Sequence, residues 1–98
     1  MTFLLDVSDA AREALRELER DKGLAKRLKA VRKALARLES NPKYPGLRSH
    51  RFFSLSGPNG EDVFVSYAEQ NTPAAYRVLW CYGPREGVIT ILAVVPHP

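Results

Sequence analysis

Residues 75–95 read AYRVLWCYGPREGVITILAVV, and this stretch decides the fold. Its first part alternates. Tyr76, Val78, Trp80 and Tyr82 fall on one side of an extended chain, and Arg77, Leu79 and Cys81 on the other. A period of two marks a strand, because successive side chains of extended backbone point to opposite faces. Gly83-Pro84-Arg85-Glu86-Gly87 supplies the turn residues of a hairpin loop. Val88 to Val95 is almost unbroken apolar sequence, which predicts a strand inside the sheet with both faces covered. Upstream, Gln70-Asn71-Thr72-Pro73 marks a turn, and Asp62 to Glu69 alternates again with Val63, Val65 and Tyr67 on one side. Ser56-Gly57-Pro58-Asn59-Gly60 marks another turn. Leu47 to Leu55 is mixed, with Phe52 and Phe53 as the expected core anchors. Strands joined by turns this short pair antiparallel with their neighbours.

The N-terminal half has a different period. Thr2 to Val7 reads as a short strand, and Ser8 or Asp9 can cap the helix that follows from about Ala10 to Arg20. Ala11, Ala14, Leu15 and Leu18 share one face of that helix, while Glu13 and Glu17 stand one turn apart as a mild like-charge clash. Asp21-Lys22-Gly23 breaks it. A second helix runs to about Ser40, with Leu24, Leu28, Val31, Leu35 and Leu38 spaced 4, 3, 4 and 3. That stripe is apolar at helical period. Lys22, Lys26, Lys29, Lys33 and Arg37, spaced 4, 3, 4 and 4, lie nearly opposite it as a basic ridge. Asn41-Pro42 and Pro45-Gly46 end the helix. The expected fold is α+β in the order β-α-α-β-β-β, one domain over residues 1–98. Two N-terminal helices cover one face of a mostly antiparallel sheet, and the first strand pairs with Val88–Val95.

At 98 residues, 45% hydrophobic and 27% charged, the chain has the composition of one globular domain rather than of a disordered one. No apolar run approaches the ~20 residues of a membrane helix. The N-terminus turns acidic too early for a secretory signal. The lone Cys81 has no partner for an internal disulfide, and no Cys/His cluster has zinc-ligand spacing. A cytoplasmic protein without metal or other cofactor is expected. The net charge of +4 is uneven: residues 20–51 hold 11 basic and 2 acidic side chains, a balance of +9, so the rest carries −5. This fits either a polyanionic or acidic partner or an ordinary solvated helix face.

Leu-Arg-Ser-His-Arg at 47–51, Tyr-Arg-Val-Leu-Trp at 76–80 and Val-Ile-Thr-Ile-Leu-Ala-Val-Val at 88–95 follow a helical hairpin in a pattern that resembles the RelE/ParE toxin superfamily. The resemblance spans nearly the whole chain. It implies the toxin of a bacterial toxin–antitoxin pair, held by an antitoxin encoded beside it. The function implied first is a ribosome-dependent mRNA endoribonuclease that stops translation. In that chemistry the ribose 2′-OH attacks its own phosphate, so the site needs a proton acceptor, a proton donor and fixed positive charge. Arg77 corresponds to the strand arginine of the family and can hold a phosphate bidentately. Arg48 and His50 resemble basic residues that some members carry before the second strand, with Arg51 beside them. His97 stands where members carry a catalytic His, Arg or Tyr, and histidine suits proton transfer near neutrality. Lys26, Lys29, Lys33, Arg37 and Lys43 are the candidates for contact with RNA phosphates.

Each residue also has a structural reading. Arg77 can be a plain solvent-face residue, His50 a turn histidine, and Tyr44 and Tyr82 either base-stacking or packing rings. Only Pro-His-Pro follows the last strand, where active members carry a basic or aromatic tail. This keeps two further functions open: a non-enzymatic inhibitor of DNA gyrase, and a non-toxic binding module or homodimer.

Overall fold

The computed structural model describes residues 2–97. In chain order these form β1 (Leu4–Val7), α1 (Asp9–Arg20), α2 (Ala25–Ser40), β2 (His50–Ser56), β3 (Asp62–Tyr67), β4 (Tyr76–Tyr82) and β5 (Val88–Pro96), with short 3-10 turns at Lys22–Leu24 and Pro45–Leu47. The strands make one sheet in the order β1-β5-β4-β3-β2. β1 runs parallel to β5, and every other neighbouring pair is antiparallel. The apolar β5 is interior, as its sequence predicts.

Four strands follow the helices, one more than the β-α-α-β-β-β reading contains. The addition is β2, from the mixed stretch before the first Gly-Pro turn. It lies at the sheet edge and most of its residues are exposed. An edge strand with neither face buried has no reason to alternate, so its sequence carries no period. Its pairing to β3 is also interrupted between Arg51 and Ser56, a bulge that turns an edge away from regular pairing. Phe52 packs in a small cluster on the far side of the sheet. Phe53, expected in the core, is 81% exposed instead, with the Arg51 guanidinium over its ring.

The helices cover one face. Ala11 and Leu18 from α1, and Val31, Ala34 and Leu38 from α2, pack on Val78 and Trp80 of β4 and Ile89, Ile91 and Val94 of β5. Each large side chain buried this way contributes about 1.5–3 kcal/mol. Leu79 pairs with Ala93 but Trp80 pairs with Ile91, so Leu92 is an extra residue in β5. That bulge shifts the alternation by one, and Ile91 and Val94 both reach the helical layer. Ser8 ties the start of α1 to the same place: its Oγ donates to the Leu92 carbonyl at 2.9 Å and accepts from the Ala11 N–H at 3.1 Å. Glu13 bridges to Arg16 at 3.4 Å and Arg20 at 3.3 Å, which offsets its clash with Glu17.

Candidate functional site: the open face of the sheet

Because β4 alternates, the side chains opposite the helices are Arg77, Leu79 and Cys81. Register carries that face across the sheet. Tyr67 of β3 and Val95 of β5 are the direct neighbours of Arg77. Two residues past Val95 on the same side comes His97, whose N–H donates to the Ala75 carbonyl at 2.8 Å. At the other end His50 pairs with Val65, and its ring lies 5.9 Å from that of Tyr67. His50, Tyr67, Arg77 and His97 therefore form a row across β2, β3, β4 and the end of β5. Pro98, also part of the expected tail, lies outside the described residues.

The segment before β2 is held by polar contacts. Ser66, fully buried on the helix side of β3, accepts from Trp80 Nε1 at 2.7 Å and shares a hydrogen bond with the Ser49 hydroxyl. This anchors residue 49 between Arg48 and His50. Arg48 ends the Pro45–Leu47 turn in the left-handed region, at φ 49°. Its Nη1 donates to Gln70 Oε1 at 3.3 Å, and Gln70 Nε2 donates to the Gly46 carbonyl at 2.9 Å. The Nδ1 of His50 lies 3.1 Å from the Arg48 carbonyl. A carbonyl can only accept, so Nδ1 carries the proton in this bond and Nε2 of the neutral ring keeps its lone pair.

A cavity of about 580 Å3 opens beside this row, lined by Arg48, Tyr67, Glu69, His97 and the loop from Gln70 to Ala75. Two arginines near it differ in a telling way. Arg27 donates to the carbonyls of Ala74 at 2.7 Å and Pro73 at 3.0 Å, bridges to Glu69 at 3.5 Å and lies over the Tyr76 ring. Its charge is used to fasten α2 to the loop. Arg77 is half-buried, enters none of the ion pairs among the described residues, and has a buried Nε with no hydrogen-bond partner. A buried donor left unmade costs about 1–3 kcal/mol. An anion such as a phosphate oxygen on this face would satisfy it.

The structure brings Arg77, His97, Arg48 and His50 to one side and one end of the sheet. It separates Arg51 from them. Arg51 pairs with Phe64, which faces the helices, and makes a 2.8 Å ion pair with Asp62 at the other end of β3. Lys26, Lys29 and Lys33 are exposed along α2, and Arg37 lies 4.3 Å over the Tyr44 ring. Lys43 lines a second cavity on the helix side. Tyr67 and the Ser49–Ser66–Trp80 chain were not among the expected site residues. Among the described residues no group of His, Cys, Asp and Glu could hold a metal ion. No helix there is long and apolar enough to cross a membrane.

No protein-family model and no curated protein matches the chain. Solved structures do match over nearly its full length. The RelE–RelB complex from the archaeon Pyrococcus horikoshii OT3 contains a chain 21% identical, covering 98% of this chain and 96% of its own, with a TM-score of 0.66. A YoeB/ParE toxin from Agrobacterium tumefaciens is 9% identical over 97% of this chain and 99% of its own, with a TM-score of 0.70. The YoeB dimer from Staphylococcus aureus is 13% identical over 100% of both chains, with a TM-score of 0.65. The fold is therefore the RelE/ParE toxin fold that the sequence resembles.

Proposed function

We propose that the chain is the toxin of a toxin–antitoxin pair and acts as a ribosome-dependent mRNA endoribonuclease on the open face of its sheet. The observation that carries this reading is the half-buried, unpaired Arg77 in a row with Tyr67 and two histidines. Arg77 and Arg48 hold the non-bridging oxygens of the scissile phosphate and offset the negative charge that grows in the transition state. The backbones of His50 and His97 stand three strand spacings apart, about 14 Å, so a phosphate between them lies over Tyr67 and Arg77. His50 Nε2 takes the proton of the ribose 2′-OH. The O2′–P bond forms, the P–O5′ bond breaks, and His97 gives its proton to the departing 5′-oxygen. The products are a 2′,3′-cyclic phosphate and a 5′-hydroxyl.

The RelE–RelB complex and the YoeB dimer among the structural neighbours support an antitoxin partner and self-association for this chain too. Induced expression in bacteria tests the reading. Growth and translation should stop, with mRNA ends mapping to cuts between or within codons. Growth arrest with intact mRNA and inhibited DNA supercoiling would assign the chain to gyrase instead. No growth effect, with a stable complex, would leave it a binding module.

A further inference from the structure

The second cavity, about 450 Å3, opens on the helix side of the sheet, where the loop after α2 passes over β2, β3 and β4. Its floor is aromatic. Phe64 and Trp80 stack with centroids 5.0 Å apart, and Tyr82 meets both edge-on at 5.8 and 5.0 Å. Across from them stands Tyr44, 37% exposed, while Tyr82 is 39% exposed. The Tyr44 ring is placed by its surroundings. Arg37 lies over it, and a Cβ on Gly46 would come within 2.5 Å of its Cε2, so glycine is needed for the close approach. Lys43 and Arg48 supply positive charge at the rim, and no acidic side chain lines the cavity. Arg48 also lines the open-face cavity, and His50 of the open-face row lines this one, so the two spaces adjoin along the segment from Arg48 to His50.

Half-exposed rings around an unfilled space leave apolar area in water that packing would otherwise remove. A planar aromatic group carrying an anion matches both the rings and the cations. A peptide helix needs a line of apolar anchors along a groove, whereas here the apolar wall is one ring cluster. We propose that this cavity is a nucleobase subsite. It receives a base adjoining the phosphate held on the open face, with the base against Tyr44 and Tyr82 and its phosphate on Lys43 and Arg48. This deepens the RNA-cleavage reading and rests on it. The subsite would set which nucleotide stands beside the cut.

The test is binding, which does not need catalysis. Trp80, the single tryptophan, reports occupancy as the four nucleoside 5′-monophosphates are titrated into the full-length protein. At least one should give a saturable fluorescence change. Tyr44→Ala and Lys43→Ala should each weaken it about tenfold, with circular dichroism showing that both variants fold. Gly46→Ala should weaken it by displacing Tyr44. No response to any nucleotide would overturn the inference. So would an equal response to inorganic phosphate alone, or saturation only by an acidic peptide from a partner protein. A toxin that fails to cut mRNA but binds nucleotides here would refute the proposed function and keep the subsite.

Discussion

The two faces of the sheet solve opposite problems. The helix side buries apolar side chains of both helices against β4 and β5, and its buried Ser66 has both of its polar neighbours, Ser49 and Trp80, in place. The open side has only a small cluster around Val63, Val65 and Leu79, and it keeps an arginine whose Nε is unmatched. One face carries the larger core; the other leaves one buried guanidinium nitrogen without a hydrogen-bond partner. Natural interiors rarely leave a buried donor unsatisfied without a role for it. The contrast between Arg27, fully used, and Arg77, unused, makes the same point on a smaller scale.

Substitutions on either side of the sheet test this contrast. Leu38→Ala, at a fully buried position of α2, should cost about 2–5 kcal/mol of unfolding free energy in denaturant titration. Ser66→Ala strands the buried Trp80 N–H and should cost about 1–3 kcal/mol. If it costs nothing, the polar chain behind β2 does not anchor Arg48 and His50. Arg27→Ala removes two carbonyl contacts and the Glu69 bridge, and should cost about 1–2 kcal/mol, with earlier proteolysis in the loop from Gln70 to Ala75. Burial raises the Cys81 thiol above its ordinary pKa, so the native protein should react with iodoacetamide much more slowly than the unfolded chain.

The smallest effect is at Glu61. Its carboxyl is held below the ordinary range by hydrogen bonds from its own backbone N–H and from Asn59. A lowered pKa means the folded state favours the charged form. Its contribution is present above the ordinary carboxylate range and is lost as pH falls through the lowered value. Amide exchange at the tip between β2 and β3 should therefore rise below that range, and Glu61→Gln should remove the dependence.

Much of the architecture was legible because burial writes a period into sequence. The stripe from Leu24 to Leu38, the alternation from Tyr76 to Tyr82 and the apolar run of β5 each face a packed layer. β2 was not legible for the same reason, since an exposed edge imposes no pattern. Arg77 could be placed on a face by counting from Trp80. Tyr67 could not be placed beside it, because that pairing depends on the register of β3 against β4. Arg51 lies next to His50 in sequence but on the other face in space. Nothing local predicted its pairing with Asp62 across the hairpin.

Arg77→Ala, read out for both stability and toxicity in one preparation, bears most directly on whether the open face is a working surface. The thermal midpoint should stay level or rise, because an unmatched buried donor is removed, while RNA cleavage and growth arrest fall about 100-fold or more. A protein that unfolds earlier yet arrests growth undiminished would show that Arg77 only braces the sheet.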